Sequence, residues 1–314
     1  MHVPEVVSIG EPLVGIYGKS GKGLKDETAF RRVLGGDTSN FVLALSKLGH
    51  STGYITKIGA DPFGQAYREL WAAENVDTTM VAVDPLHPTG LYLTAAADTT
   101  HDFIYYRRNS AASSLNSGDI YEGYFQKARV LHVSGISQGI SPSARDAVYT
   151  ALGFAKSRGL EISYDFNYRP ALWDQKQARE TALDTIRKFV TILCLTREEA
   201  SLLSSEDDYR KAVPRFLSWG VSLVAVKLGA AGCHLFTEKE NILTPAYPVS
   251  IVDTVGAGDA FAAAIVCAVL EGMEIEEAAR FANLVAALTC RGIGPVQTQP
   301  RRKEVDGLLK QNRE

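Results

Sequence analysis

Residues 253–261 read DTVGAGDAF and lead directly into a run of small apolar residues that is typical of a buried helix. Gly256 and Gly258 allow a tight backbone turn, and the first turn of the helix offers unpaired N–H groups at the positive end of its dipole. This combination predicts an anion-binding site. Asp259 could simply cap the helix, but two glycines and a second carboxylate, Asp253, exceed what a cap requires.

The segment differs from the two best-known phosphate-binding loops. A Walker A loop would need Gly-x-x-x-x-Gly-Lys-Ser, and the GKS at 18–20 is only its tail because Leu13 stands where the first glycine belongs. A dinucleotide-binding fingerprint would need a third glycine at Phe261. Both of these sites are therefore excluded.

Composition narrows the function classes. The chain has 314 residues, of which 46% are hydrophobic and 22% are charged, which is typical of a folded globular protein. Lys and Arg total 33 against 36 Asp and Glu, without a basic stripe, so nucleic acid is not an expected partner. No apolar stretch is long enough to span a membrane and no signal pattern begins the chain, so we expect a cytoplasmic protein. Buried core thiols are expected at Cys194, Cys233, Cys267 and Cys290.

Short β-branched runs alternate with amphipathic stretches along most of the chain, which predicts an α/β sandwich with a mostly parallel central sheet. Helices are expected at 37–48 and 142–156. The expected strands, each almost entirely apolar, are Val6–Ile9, 53–58, Val130–Ser134, 161–166, 191–195 and 223–228.

Two segments, about 11–34 and 81–107, contain strand-like pieces with no helix between them. Their alternation of polar and apolar residues indicates a sheet with one wetter face. We therefore predict one domain over 1–314, with a small β-sheet lid formed by these two segments.

Four motifs resemble one family over essentially the whole chain, the PfkB or ribokinase-like carbohydrate kinases. Residues 253–261 resemble the C-terminal signature of that family. Residues 35–40 (GGDTSN), followed by Leu-Ala at 43–44, resemble its N-terminal signature. Residues 57–64 (KIGADPFG) and 227–232 (KLGAAG) resemble two further segments, the second on the nucleotide side.

The resemblance implies a ribokinase-like three-layer sandwich, a homodimer formed through the lid, and ATP-dependent phosphorylation of a sugar hydroxyl with Asp259 as general base. Phosphoryl transfer needs mainly positioning and charge neutralisation, which backbone amides of Gly256, Ala257 and Gly258 could supply. The implied sugar contacts include Gly35, Gly36, Asn40 and Asp259. The implied ATP contacts are Asn167, Lys227, Gly229, Gly232, Gly256 and Gly258.

Magnesium is the cofactor that the resemblance implies. The family usually holds the water shell of the ion with Asn-x-x-Glu, and residues 196–199 (TREE) keep Glu199 but have Thr for Asn. A simple acidic start to a helix is the alternative role of Glu199. A monovalent cation such as K+ beside the Asp253 loop is left open.

Residues 105–113 (YYRRNSAAS) and 165–173 (DFNYRPALW) resemble segments of 2-keto-3-deoxygluconate kinases. On a strand, Tyr105 and Arg107 share a face, and Arg169 follows the strand at 161–166. Two guanidinium groups in one pocket suit a sugar carboxylate. The expected reaction is phosphorylation of the carbon-six hydroxyl of this keto acid.

Tyr92 matches a lid tyrosine of the same relatives, although packing against a neighbouring strand is an equal alternative. The relatives often carry Arg or Lys and then Gly-Asp near their C-terminal end, whereas residues 291–295 read RGIGP. The missing carboxylate keeps a fructokinase or another sugar kinase open as the alternative.

Two other function classes match parts of the sequence. Residues 135–139 (GISQG) match the Gly-x-Ser-x-Gly elbow of serine hydrolases around Ser137, but the one later histidine, His234, lies in a strand-like segment. A non-catalytic sugar-binding protein would not require a base such as Asp259 at the helix start. Both alternatives are therefore weaker than the kinase.

Overall fold

The computed structural model describes residues 4–97 and 100–311, and these residues form two β-sheets. In chain order the strands are β1 (Val6–Ile9), β2 (Leu13–Gly18), β3 (Phe30–Gly35), β4 (Thr52–Gly59), β5 (Val81–Asp84), β6 (Leu91–Ala97), β7 (Thr100–Tyr106), β8 (Val130–Ser134), β9 (Glu161–Asp165), β10 (Ile192–Thr196), β11 (Leu223–Lys227), β12 (Cys233–Phe236) and β13 (Asn241–Thr244).

The large sheet has the strand order β13-β12-β11-β10-β9-β8-β1-β4-β5. Its seven strands β11, β10, β9, β8, β1, β4 and β5 pair in parallel, and β12 and β13 add an antiparallel edge. Strands β1 and β8 are buried at every position, because helices cover both faces of the sheet. The predicted α/β sandwich with a mostly parallel sheet is confirmed.

Helices connect most of the parallel strands. In chain order they are α1 (Gly23–Asp26), α2 (Asp37–Lys47), α3 (Pro62–Ala73), α4 (Gly135–Gly139), α5 (Pro142–Ser157), α6 (Gln175–Phe189), α7 (Arg197–Ser204), α8 (Tyr209–Leu217), α9 (Ala257–Glu271), α10 (Ile275–Thr289) and α11 (Arg302–Gln311). None of these helices, within the part of the chain that the structure describes, is long and apolar enough to cross a membrane.

Two hydrophobic cores lie on opposite faces of the large sheet. One core contains the buried side chains of α2, α9 and α10, centred on Phe41, Ile265 and Phe281. The other contains those of α5, α6 and α8, with Leu152 and Phe216 fully buried. The central helix α9 is apolar on all sides because neighbours surround it, as its small residues predicted.

The small sheet has the strand order β3-β2-β6-β7. In the sequence, β2 and β3 come between β1 and α2, and β6 and β7 follow β5. Its β2–β6 pair is parallel, whereas β2–β3 and β6–β7 are antiparallel. The expected second lid segment, 81–107, divides between the sheets. Its first strand, β5, pairs with β4 at the edge of the large sheet instead.

Gly36 connects β3 of the small sheet to α2 and has a φ of 99°, a conformation that favours glycine. A Cβ atom at this position would lie 2.3 Å from the carbonyl oxygen of Glu11, in the connection between β1 and β2. The return of the chain from the small sheet to α2 therefore depends on the absence of a side chain.

We predict that Gly36→Ala lowers the free energy of unfolding by about 2 kcal/mol, because the variant combines backbone strain with a clash against fixed backbone. Gly153→Ala in α5 is the matched control, since its Cβ would meet open space and alanine favours the helix by about 0.5–1 kcal/mol. Urea unfolding measures both changes. Equal stability of Gly36→Ala and the wild type would contradict the conclusion that position 36 cannot hold a side chain without strain.

Candidate active site

A cavity of about 710 Å³ lies between the small sheet and the carboxyl ends of the parallel strands, where open α/β sheets bind ligands. Most of the residues that the sequence selected line it together. They are Gly36, Asn40, Tyr92, Tyr105, Arg107, Asn167, Arg169, Glu199, Lys227, Gly229, Gly256, Gly258 and Asp259.

Three of the selected residues do not line this cavity. Ala257 and Gly232 line a second cavity, which adjoins the first at Lys227 and Gly258. Gly35 reaches neither wall in the structure. Its N–H donates to Tyr67 Oη at 3.0 Å and its carbonyl accepts from the same hydroxyl at 2.9 Å, so the position ties β3 to the core.

The start of α9 has the geometry of an anion-binding site. Gly256 precedes the helix with a φ of 83°, and no side chain of the described residues caps the first amides. At Gly258 the nearest atom to an added Cβ would be Lys227 Nζ, at 3.5 Å. The Ala257 amide donates to the Thr254 carbonyl at 3.2 Å, whereas the amides of Gly256 and Gly258 have no partner among the described residues. These two amides and an ammonium group meet at the junction of the two cavities, an arrangement that suits a phosphate.

Asp259 lies in the first turn of α9 with its Oδ2 accepting a hydrogen bond from Asn40 Nδ2 at 2.7 Å. Burial and the negative charges of Asp37 and Asp165 raise the pKa of Asp259 to about 7, against the lowering effects of Asn40 and Lys227. A carboxyl group with this pKa can accept a proton near neutral pH. It has the proton affinity that a general base needs.

A buried ion pair lies under the anion-binding amides. Lys227 Nζ at the end of β11 donates to Asp165 Oδ2 at 2.6 Å, and Asp165 Oδ1 is shielded from solvent without a hydrogen-bond partner among the described residues. Burial alone would lower the pKa of Lys227, but the charges of Asp165 and Glu199 raise it. The lysine therefore keeps its positive charge in the site.

Both carboxylate oxygens of Glu199 are engaged by the backbone. Oε1 accepts from the Tyr168 amide at 2.7 Å, and Oε2 accepts from the Thr196 amide at 2.8 Å while the Thr196 hydroxyl caps the Glu199 amide. This capping box is the structural alternative foreseen for Glu199. Burial and the charge of Asp165 raise its pKa, although Lys227 opposes them.

Arg107 is less available to a ligand than the sequence suggested. Its Nη2 contacts Glu11 Oε2, and the side chain of Glu11 is fully buried. Ser110 Oγ donates to the other oxygen of Glu11 at 2.8 Å. Glu11 belongs to no motif and was not predicted as a site residue, although its place two residues after the end of β1, at the edge of the sheet where ligands bind, was a usable signal.

The other residues of this wall differ in exposure. Arg169 is exposed, and its Nη1 donates to the carbonyl of Tyr168 at 3.0 Å. Tyr92 is buried, and its hydroxyl lies 2.9 Å from that of Tyr17, which is the packing role foreseen as the alternative. Asn167 has a φ of 43° and is largely buried in the wall.

The second cavity, of about 500 Å³, was not predicted. Its wall is mostly apolar, and it opens beside Gly229 and Gly258 of the anion-binding region. A flat apolar group attached to a phosphate chain would fit the pair of cavities. Its apolar lining includes Tyr247, Pro248, Val249, Ile251, Phe261, Ala286 and Ala287.

The structure contradicts the hydrolase alternative. Ser137 is buried in the short helix α4, where its Oγ donates to the carbonyl of Ile9 at 3.1 Å. His234 lies in β12, and its ring nitrogens contact Tyr209 and Asn241 instead. From the sequence, Ser137 and Gln138 are expected in a loop over the edge of the sheet, but the segment is helical, and Ser137 does not line the cavity.

Comparison with known proteins gives one consistent family. Residues 3–302 match the sequence model of a family described as "pfkB family carbohydrate kinase". The chain is 30% identical to a 2-dehydro-3-deoxygluconokinase of Bacillus subtilis (98% of this chain, 96% of the relative) and 31% identical to fructokinase-1 of rice, Oryza sativa subsp. japonica (97% of each).

An E. coli protein assigned as a ribokinase II, whose crystal structure is in complex with ATP and Mg2+, has a closely similar fold. The TM-score is 0.92 at 29% sequence identity, over 98% of this chain and 99% of that one.

We predict that Asp259→Asn is more stable than the wild type at pH 8, by about 1–3 kcal/mol, and equally stable near pH 4. The folded carboxyl has a pKa of about 7, above the ordinary value of 3.8. The wild type therefore loses stability as the pH rises between these values, and the asparagine does not. Denaturant unfolding across this range measures the difference.

Asp26→Asn, at an exposed position, controls for the change in net charge. A stability difference between Asp259→Asn and the wild type that does not grow from pH 4 to pH 8 would contradict the raised pKa.

Proposed function

The chain belongs to the pfkB family of carbohydrate kinases, and we propose that it transfers the γ-phosphoryl group of ATP to the carbon-six hydroxyl of 2-keto-3-deoxygluconate. This sugar acid is the one called 2-dehydro-3-deoxygluconate in the name of the Bacillus subtilis relative. The observation that carries the proposal is the carboxylate of Asp259 beside unpaired amides at the start of α9.

The proposed reaction uses these groups together. Asp259 accepts the proton of the sugar hydroxyl while the oxygen of that hydroxyl bonds to the γ-phosphorus of ATP. The bond from this phosphorus to the oxygen that bridges it to the β-phosphate breaks, and ADP leaves. Amides of Gly256 and Gly258 face the oxygens of the moving phosphoryl group. Ala257 was expected to add a third amide, but its N–H donates to the Thr254 carbonyl instead. Lys227 adds positive charge on the same side.

The second cavity supports a nucleotide orientation. We assign the purine to its apolar wall and the phosphate chain to the opening near Gly229 and Gly258, so that the γ-phosphate reaches the first cavity. Lys227 lines both cavities and Gly232 lines the second. Asn167 is assigned to the phosphate side, across the first cavity.

Oxygen donors for a magnesium ion lie in the same region, which fits the preference of this ion for oxygen ligands. Glu199 is assigned to its water shell, since each carboxylate oxygen accepts one amide and keeps a further lone pair. The unpartnered Asp165 Oδ1 offers another acceptor. When bound, the ion neutralises charge on the ATP phosphates.

A monovalent cation near Asp253 and a cytoplasmic location stay predictions.

The sugar is assigned to the part of the first cavity that Gly36, Asn40 and the small sheet enclose. Arg107 and Arg169 are assigned to its carboxylate. Glu11 holds Arg107 in place, and Arg107 Cζ lies over the Tyr105 ring, 5.7 Å from the ring centroid. Because Glu11 balances the charge of Arg107, the net attraction for an acid comes from Arg169.

This charge balance also supports the second candidate, a fructokinase. A neutral sugar would accept hydrogen bonds from Arg107 without adding charge to the Glu11–Arg107 pair. The sequence identity to the rice fructokinase, 31%, is close to the 30% identity to the Bacillus subtilis enzyme. Arg169 is thus the residue whose role separates the two candidates.

We predict that an assay of ADP release gives the highest kcat/KM with 2-keto-3-deoxygluconate among this acid, fructose, ribose and adenosine. Asp259→Asn should lower kcat by at least about a thousandfold while the Kd for the sugar changes little, because only proton transfer is lost. Near-normal phosphorylation by this variant would contradict the assignment of the base.

Arg169→Ala separates the substrate candidates in the same assay. It should lower kcat/KM at least about tenfold for the acid and leave that for fructose nearly unchanged. A wild-type preference for fructose that Arg169→Ala does not alter would favour the fructokinase.

We also propose a homodimer formed through the small sheet. Its edge strand β7 exposes Ile104 and Tyr106 to 45% and 62%, and Phe30 on the opposite edge strand is exposed to 39%. Apolar side chains on an unpaired sheet edge favour association. Pairing of two such sheets would also cover the outer face of the sugar site.

We predict that the wild type sediments as a dimer and that Ile104→Glu sediments as a monomer, because a charge on this face opposes burial. Val83→Glu, on the exposed edge strand β5 of the large sheet, is the matched control and should remain dimeric. A monomeric wild type, or a dimeric Ile104→Glu, would contradict the interface.

A further inference from the structure

Three side chains of metal-binding type meet at the end of α9 that is remote from Asp259. They are His50, in the connection between α2 and β4, and Cys267 and Glu271, in the last turns of α9. One ligand atom from each lies within 4.8 Å of the other two. An α-helix rises about 1.5 Å per residue, so Glu271 is about 18 Å along the helix from Asp259. The cluster is therefore separate from the kinase site.

The separations of these atoms fit a tetrahedral metal ion. Glu271 Oε1 lies 3.3 Å from His50 Nε2 and 3.6 Å from Cys267 Sγ. With the usual bond lengths to zinc and tetrahedral angles, an oxygen ligand is about 3.4 Å from a nitrogen ligand and about 3.6 Å from a sulfur ligand. Two of the three separations thus already match those of a zinc site.

His50 is oriented as zinc-binding histidines usually are. Its Nδ1 lies 2.9 Å from Glu5 Oε2, a hydrogen bond in which the ring nitrogen donates. A carboxylate behind the ring in this way fixes the tautomer and turns the other nitrogen toward a metal. In the neutral ring, the lone pair of Nε2 then faces an oxygen of Glu271 that also only accepts. A proton or a metal ion is needed between these two atoms.

A cation of the protein already contacts two of the three ligands. Arg302 Nη1 contacts Glu271 Oε1 and lies 3.9 Å from Cys267 Sγ. The carboxyl end of α9 favours positive charge at this place. Arg302 also has another acidic partner, because its Nε donates to Asp306 Oδ1 at 2.7 Å within α11. The guanidinium group can therefore leave Glu271 without losing its last ion pair.

The donor atoms indicate which metal would bind. Imidazole nitrogen, thiolate sulfur and carboxylate oxygen are the ligands of zinc, whereas magnesium and calcium prefer oxygen ligands alone. Three protein ligands leave a fourth position for water. The side chains of His50 and Glu271 are 13% and 29% exposed, so solvent and a metal ion can reach them.

We propose that His50 Nε2, Cys267 Sγ and Glu271 Oε1 bind a Zn2+ ion, which takes the position of the guanidinium group described above. Cys267 gives its thiol proton to the solvent and bonds to the metal as a thiolate. Arg302 keeps its contact with Asp306. Zinc and Arg302 thus compete for the same carboxylate oxygen.

Zinc titration in competition with a chromophoric chelator measures the affinity of the site. We expect the wild type to bind one equivalent and His50→Ala to bind it at least about tenfold more weakly. Arg302→Met should bind zinc at least about tenfold more tightly than the wild type, because the metal no longer has to displace a cation. Methionine keeps an apolar chain beside Phe281, over whose ring Arg302 Cζ lies at 5.4 Å.

The matched control is His87→Ala. The ring of His87 also contacts a carboxylate, since its Nδ1 lies 2.8 Å from Asp84 Oδ2, but it lies outside the cluster. This variant should bind zinc as the wild type does. Thermal unfolding without metal shows that each variant is folded, and if His50→Ala is not, the gain in Arg302→Met decides.

Cobalt reports whether the sulfur is a ligand. Co2+ bound to Arg302→Met should show the absorption bands of a tetrahedral ion with a thiolate-to-metal charge-transfer band, and Cys267→Ser should remove the charge-transfer band. Equal zinc affinity in folded His50→Ala and the wild type, no gain in Arg302→Met, or a cobalt complex without the thiolate band would overturn the proposal. None of these measurements depends on the substrate of the kinase.

Discussion

The site depends on an acidic side chain that the fold keeps at the start of a helix, where the dipole would favour its ionised form, while burial and neighbouring acids oppose ionisation. Asp259 is placed there by the turn at Gly256 and oriented by Asn40. These opposing effects bring its pKa to about 7. The same turn leaves amides unpaired, so base and anion site share one structural cause.

The charges around this helix start are organised in pairs. Asp165 holds Lys227 under the amides, and Glu11 holds Arg107 at the other end of the cavity. Each pair fixes the direction of a cation while reducing its net charge. Asp37 and Asp259 line the same cavity and form no ion pair with another described residue, so the cavity is rich in acceptors. A ligand that brings hydroxyl donors or a divalent cation would complete it.

Much of this arrangement was predictable because it follows from local backbone rules. The strand and helix alternation gave the parallel sheet, and the glycines around Asp259 gave the anion-binding turn. Tyr105 and Arg107 face the cavity together, as strand periodicity requires, while Tyr106 is exposed outside it. Pairings between distant segments were harder to predict. The contact of Glu11 with Arg107 joins residues 96 positions apart, and β5 joined the large sheet because its partner β4 lies there.

The pH dependence of kcat/KM tests the central claim most directly, since it reports the protonation of the free enzyme. If Asp259 is the base, log kcat/KM rises with a slope near one up to about pH 7 and is level above it, and the rise disappears in Asp259→Asn together with the activity. A profile that is level from pH 5.5 to pH 7.5 would contradict the account, because the carboxylate would then have been ionised throughout.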